Sequence, residues 1–360
     1  MPRPRNSENR GLPARWKHRH GAYYYSVPPG LEDLWEGKQQ FRLGKTLPEA
    51  YRIWAERLGS TPEVRSVGQL LDRYALEVVP TKAPQTQESN QLAIKKLRAV
   101  FGALPISAIK PQTVYKYVDK RSVKSKSVEG RVTGGRVVAH REVEVLSHAF
   151  TKAVQWGYID RHPFKFEVRL EGESPRTRYI EDWEVIESLS LPSTRKKGSV
   201  GMIQAYMRIK LITGLRRGDL LRLTMTDFQE DGIHVQPSKT ANTTGKRLII
   251  EWSAELRAAI EMAKAMRPVL SPHLFCNRRG ESYVDESGHA HGWDSMWQRF
   301  MERILSETKV KTKFTEHDLR AKCASDAETL AHARQLLAHA DERTTMRVYR
   351  RRPERVKPLR

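Results

Sequence analysis

Between Pro13 and Thr46 the runs RWKHRH, AYYYSVPP and KQQFRLGKT are strand-like. Gly21 and the turn-rich PPGLEDLWEG separate them, so they predict a small basic sheet. Thr46-Leu47-Pro48-Glu49 then has the form of a helix start, the Thr hydroxyl capping and Glu49 reaching back, and YRIWAERL continues with apolar residues at helical spacing. A sheet with one helix encloses little core, which predicts a compact appendage over residues 1–62. From Ser66 the period becomes helical: VGQLLDRYALEVV, QLAIKKLRAVFGAL, KPQTVYKYVDKR, and a helix over about 137–156 in which Phe150, Val154 and Trp156 read as core. The basic, Ser/Gly-rich KRSVKSKSVEGRVTGG between the last two predicts a mobile loop able to lie along phosphates. These helices make up a segment 63–164, and the polar VRLEGESPRTR marks a linker over 165–178. A mixed segment, 179–360, opens with RYIEDWEVIESL. It contains the hairpin signature IHVQPSKTANTTGKRLIIEW, two apolar runs around the polar turn TANTTGK, then the helix SAELRAAIEMAKAM and several more. No internal repeat is visible. The fold class expected is multidomain and mainly α with small β elements.

Charge narrows the partners. The 360 residues carry 64 Lys plus Arg against 42 Asp plus Glu, a formal +22, while hydrophobic residues make up 39%. That is the composition of a folded basic protein and points first to nucleic acid. No apolar run approaches the roughly 18 residues that span a bilayer, and mean hydropathy is −0.64, which leaves membrane binding the weaker option. Cys276 and Cys323 are far apart and have no CxxC spacing, so neither a disulfide framework nor a zinc module is indicated. His289, His291 and His332 lack metal-ligand spacing. The opening MPRPRNSENRG is basic without the apolar segment of an export signal, and a cytoplasmic location is expected.

Several polar motifs interrupt the later helices. In LITGLRRGDLLRL, Gly214 breaks one helix and Arg216 starts the next, with Asp219 one turn on; a solvated arginine on an amphipathic helix fits this motif alone equally well. In TEHDLRAKCAS, His317 and Arg320 stand three apart and share a helix face. A guanidinium there can donate two parallel hydrogen bonds to a phosphate, and a neighbouring histidine can donate or exchange a proton. LLAHAD then carries His339, and HADERTTMRVYRRR carries Tyr349 among Arg347, Arg350, Arg351 and Arg352, neighbours that a core aromatic has no use for.

In this order, TGLRRGDLLRL, QPSKTANTTGKRLII, HDLR, LLAHAD and TTMRVY resemble the catalytic domain of tyrosine recombinases, specifically phage-type integrases. The resemblance implies a small β-sheet arm-binding-like domain, a helical core-binding (SAM-like) domain and a mixed α+β catalytic domain. It implies that Arg216 and Arg320 hold the non-bridging oxygens of a scissile phosphate, and that His317 and His339 add hydrogen bonds and assist proton transfer. It further implies that Lys239 protonates the leaving 5′ oxygen, with Lys246 as rival, that Asp219 steadies the first arginine, and that Tyr349 is the nucleophile, favoured as phenolate by a dense cationic setting. The product is a 3′-phosphotyrosyl link formed without metal, ATP or other cofactor. The implied partner is double-stranded DNA at attachment sites, bound by a homotetramer, with a host DNA-bending protein and an excision factor as further partners, in the bacterial host of a phage or mobile element. Expected DNA contacts are Arg15, Lys17, Arg19 and Arg42 on the sheet, Lys120, Lys124, Lys126 and Arg131 in the basic loop, and Lys246 and Arg247 in the hairpin turn. The sequence departs from the family pattern in three places. The interval from His339 to Tyr349 is one residue longer than usual, Ala338 stands where Gly is common, and Met225 replaces an aromatic. Other readings with the same residues are a DNA-binding architectural protein that lost catalysis and a DNA-relaxing topoisomerase.

Overall fold

The computed structural model describes the chain apart from residues 1–8, 10, 59–63, 127–131, 173, 194–198, 241–244, 340, 354–356 and 360. It is mainly helical with small sheets and packs as two units, Met1–Glu173 and Ser174–Arg360.

In the first unit β1 (Trp16–Arg19), β2 (Ala22–Ser26) and β3 (Gln40–Gly44) form an antiparallel sheet in sequence order, followed by α1 (Leu47–Leu58). Alternation along the strands sends Trp16, Tyr25, Phe41 and Leu43 inward. The opposite face aligns Lys17 with Tyr24 and Tyr24 with Arg42. Next come the helices α2 (Val67–Glu77), α3 (Pro84–Phe101), α4 (Pro111–Ser122) and α5 (Arg136–Gln155). Ser66 starts α2 with a capping box completed by Gln69. The sheet's inward residues and Leu70, Tyr74, Leu97 and Phe150 of the helices belong to one hydrophobic cluster, which supplies the core that a three-stranded sheet and one helix lack. The basic loop predicted between α4 and α5 falls partly on 127–131, outside the described residues. Its flanks β4 (Ser125–Lys126) and β5 (Val132–Thr133) pair as a short antiparallel ladder.

The second unit runs through α6 (Asp182–Ser190), α7 (Ser199–Thr213), α8 (Arg217–Leu221), the antiparallel pair β6 (Gly232–Val235) and β7 (Leu248–Glu251), α9 (Ala254–Ala265), α10 (His291–Glu307), α11 (Glu316–Asp326), α12 (Leu330–Leu336) and α13 (Glu342–Thr344). The predicted hairpin is β6–β7, and most of its turn lies at 241–244, outside the described residues. Helices α7 and α11 are buried on nearly every side, which is why they read as poorly amphipathic in the sequence. Helix α11 starts with a capping box: the Asp318 N–H donates to Thr315 Oγ1, and the Asp318 carboxylate accepts from the Thr315 backbone. Two helix ends aim the chain toward the polar cluster of this unit. Gly214, at φ +61°, closes α7. At the end of α12 the His339 N–H donates to Arg334 O and the Ala338 N–H to Gln335 O, a Schellman arrangement that puts Ala338 at φ +51°, where glycine is the usual residue. No described helix is long and apolar enough to cross a membrane.

Candidate active site

Arg216 is the residue before the first turn of α8, in extended backbone, and is half-buried. The loop that carries it is pinned by two buried basic side chains. Lys210 Nζ donates to Leu215 O at 2.8 Å, and an Arg320 terminal nitrogen donates to Gly214 O. A second Arg320 nitrogen donates to Leu337 O at 2.8 Å, so one guanidinium joins the end of α7 to the end of α12. Burial, then the charge of Arg216, lowers the Arg320 pKa to about 10, well above neutrality, so Arg320 stays cationic.

The histidines lie on either side of the tyrosine. The Tyr349 ring centroid is 5.0 Å from that of His317 and 4.8 Å from that of His339, and the Arg320 guanidinium carbon lies 5.5 Å from the Tyr349 ring. His339 is buried; loss of solvent, then the charges of Arg320 and Arg216, push it down to about 4. For His317, whose side chain keeps an exposed edge, loss of solvent on the inner side and then Arg320, Arg351 and Lys210 do the same, to about 4. Both rings are therefore neutral in the free protein at pH 7.

Tyr349 ends a π turn, Thr345–Tyr349, closed by the Arg350 N–H donating to Thr345 O at 3.1 Å. A π turn takes up one more residue than an α turn. This is how the chain accommodates the extra residue between His339 and Tyr349 and still brings the ring against both histidines. The strand after it is held by α11: Ser325 Oγ donates to Tyr349 O and accepts from the Arg351 N–H, both at 2.8 Å. The Arg351 side chain donates to Asp318 Oδ1 at 2.6 Å and to Arg178 O. Asp318 also accepts from Arg176. Against the burial that would raise it, hydrogen bonds from Arg351 and Thr315 hold the Asp318 carboxyl below its ordinary range.

Two expectations from the sequence need correction. Asp219 does not pair with Arg216; no hydrogen bond or ion pair joins them among the described residues. Its Oδ1 accepts from the Ser238 backbone N–H at 2.9 Å and from Ser238 Oγ at 2.6 Å, because the first turn of α8 directs the carboxylate at the β6–β7 turn. The arginines flanking Tyr349 do not surround its ring either. Arg351 is turned to Asp318, Arg347, Arg350 and Arg352 are exposed, and the cation against the ring is Arg320.

Lys239 lies in the turn Ser238–Thr240 that Asp219 anchors; it is exposed, and its charge contributes to the depressed pKa of His339. Arg216, Lys239, His317, Arg320, His339 and Tyr349 thus gather in one patch whose charges act on one another, with the tyrosine supplied by the same chain. The profile of the phage integrase family matches residues 190–355, the segment that contains all of them.

That segment is a phage integrase domain.

The integrase of Enterobacteria phage 434 is 24% identical over 257 residues, a match covering 67% of this chain and 66% of that relative, just under two thirds of its length. The fold is that of a lambda integrase tetramer solved on a Holliday junction, with a TM-score of 0.61 at 19% identity covering 99% of both chains. It is also that of the Tn1549 transposon integrase solved with circular intermediate DNA, with a TM-score of 0.59 at 16% identity over 78% of this chain and 94% of that one.

The structure also describes most of the remaining residues singled out in the sequence. Lys246 and Arg247 are exposed on the far side of the β6–β7 turn. In the first unit Arg15, Lys17, Arg19 and Arg42 are exposed on the sheet, the Arg19 guanidinium lying 4.7 Å from the Tyr24 ring. Lys120 and Lys124 are exposed, Lys126 pairs through its backbone in β4, and Arg131 lies outside the described residues. Sequence reasoning missed Lys210, Ser238, Ser325 and Thr345. Lys210 had a signal, a lone lysine inside the run MRIKLIT; Ser238 and Ser325 are small polar residues whose partners are distant in sequence, and Thr345 reaches His339 only through the turn between them.

Proposed function

We propose that this chain is a site-specific DNA recombinase that cleaves and rejoins DNA through Tyr349, integrating a phage or mobile element into the DNA of a bacterial host. The observation that carries the reading is the placement of the Tyr349 ring between His317 and His339 and beside Arg320, within one subunit. Arg216 and Arg320 bind the non-bridging oxygens of one phosphodiester and offset the charge that builds on them as phosphorus becomes pentacoordinate. Tyr349 Oη forms a bond to phosphorus as the bond to the 5′ oxygen breaks; the phenol proton passes to a neutral histidine, and Lys239 gives a proton to the leaving oxygen. The phosphate's negative charge favours the protonated histidine, reversing the effect of the surrounding cations. The retained phosphotyrosyl bond stores what the 5′ hydroxyl of a second duplex needs for rejoining.

By analogy with the lambda integrase tetramer on a Holliday junction, four copies of this chain assemble on two duplexes. In this reading residues 1–62 contact flanking arm sites through Arg15, Lys17, Arg19 and Arg42. Residues 63–164 grip the core site, with Lys120, Lys124, Lys126 and Arg131 on the backbone, and Lys246 and Arg247 add contacts from the catalytic unit. The test is incubation with a nicked site duplex followed by a denaturing gel. A slow-migrating covalent adduct with the native chain and none with Tyr349→Phe supports the reading. Binding without adduct favours an architectural protein, and relaxation of arbitrary supercoiled plasmid without strand exchange favours a topoisomerase.

A further inference from the structure

The His339 ring is held at both nitrogens. Nδ1 lies 2.9 Å from Thr345 Oγ1, and Nε2 lies 3.3 Å from a terminal nitrogen of Arg320. A guanidinium has donors and no acceptor, so in that contact Nε2 accepts. The neutral imidazole then carries its hydrogen on Nδ1 and donates it to the Thr345 hydroxyl oxygen. Thr345 is fully buried. It also opens the π turn that Tyr349 closes, its carbonyl accepting the Arg350 N–H. His317 differs: its ring makes no hydrogen bond among the described residues, so the protein fixes neither of its tautomers.

We infer that Thr345 is a positioning residue that fixes His339 as the Nδ1–H tautomer, leaving Nε2 as the nitrogen with a lone pair, which accepts from Arg320 in the free protein and takes a proton once a bound phosphate draws the guanidinium to itself. The inference rests on the recombinase reading and assigns an atom within it. When Tyr349 attacks, the phenol O–H bond breaks and Oη bonds to phosphorus, and a proton taken by His339 lands on Nε2. The resulting imidazolium keeps Nδ1–H on Thr345 and offers the new Nε2–H to a phosphate oxygen. A ring in the other tautomer would present an N–H toward Arg320, a donor facing a donor, and would have no lone pair there to receive the proton. The same side chain therefore sets the acceptor while its backbone sets the turn that carries the nucleophile.

The test compares the full chain, Thr345→Val, which keeps the shape and lacks the oxygen, and Thr345→Ser, which keeps the oxygen. Nitrogen-15 NMR of histidine-labelled protein reports the tautomer directly in the free protein. The native chain and Thr345→Ser show His339 protonated at Nδ1, and Thr345→Val shifts it toward Nε2–H. On a nicked duplex, Thr345→Val forms adduct on the order of a hundredfold more slowly, the lower end of what a positioned acid–base group contributes, while Thr345→Ser stays within about threefold. Near-UV circular dichroism and duplex binding confirm that the variants are folded. An unchanged His339 tautomer in Thr345→Val, or equal loss of adduct in both variants, overturns the assignment. A native chain with the Nδ1–H tautomer and no adduct counts against the recombinase reading and leaves the tautomer assignment standing on the NMR comparison.

Discussion

Lys210 is 1% exposed and its Nζ donates to Leu215 O; burial, helped by the charges of Arg320 and Arg217 and opposed by Glu316 and Asp219, lowers its pKa from 10.5 to about 7. That depression disfavours the charged form by about 5 kcal/mol. Between pH 7 and 10.5 the unfolded chain keeps a proton that the folded chain has released. Stability therefore rises with pH across this window by about 1.4 kcal/mol per pH unit, and below it the whole penalty is present. Lys210→Met removes the penalty and leaves the Leu215 carbonyl without its donor, a loss of about 1–2 kcal/mol. The net effect at pH 6 is a gain of about 3 kcal/mol, which raises the melting temperature of the C-terminal unit by roughly 6–12 °C. At pH 10 the gain is gone and the variant is slightly less stable than the native chain. Calorimetry of both full-length proteins from pH 6 to 10 measures the difference. A difference that stays constant with pH, or one that favours the native chain at pH 6, refutes the reasoning. The more stable variant should still form adduct more slowly, because the loop bearing Arg216 has lost one of its two anchors.

Gly214→Ala places a Cβ at φ +61°, 3.0 Å from Leu337 Cδ2 and 3.1 Å from Cys323 Sγ; strain and overpacking together cost about 2–4 kcal/mol, read as a fall in melting temperature. Asp219→Ala, which removes the acceptor of both Ser238 hydrogen bonds, frees the turn that carries Lys239 and slows cleavage of an ordinary duplex on the order of a hundredfold. A substrate with a 5′-bridging sulfur, whose leaving thiolate needs no acid, restores the rate; equal slowing on both substrates would show that the anchor does not act through Lys239. Arg351→Ala leaves Asp318 with one arginine and releases the strand after Tyr349, seen as faster amide exchange over 345–351 together with slower adduct formation. Unchanged exchange would exclude Asp318 as the anchor. Mixing Tyr349→Phe with Arg320→Ala should give no adduct, since each tyrosine lies in its own subunit's cluster; recovery of adduct would mean that the tyrosine is donated between subunits.

Local patterning made the elements legible. Alternation predicted the sheet that ends at Gly44, the polar turn predicted the β6–β7 hairpin, and Thr46, whose hydroxyl accepts from the Glu49 N–H, marked the start of α1. What stayed hidden depends on where side chains turn in three dimensions. Asp219 lies three residues from Arg216, yet its partner is Ser238, which only the folding of the hairpin against α8 brings near. Arg351 lies two residues beyond the tyrosine in sequence and under it in space, tied to Asp318. The long interval from His339 to Tyr349 leaves the turn open in the sequence; a π turn takes up the added residue, and no local residue preference announces that geometry. Buried all round, α7 and α11 gave weak periodicity, although they carry or hold most of the polar cluster.

The central claim is that phosphorus becomes bonded to the Tyr349 oxygen. Trapping the native chain on a nicked duplex, digesting the adduct with protease and sequencing the nucleotide-bearing peptide by mass spectrometry tests it most directly. The claim predicts the nucleotide on Tyr349 in the peptide VYR, joined through a 3′ phosphate with the 5′ hydroxyl free. A nucleotide on any other residue, or tight and site-specific binding that never yields an adduct, would contradict it.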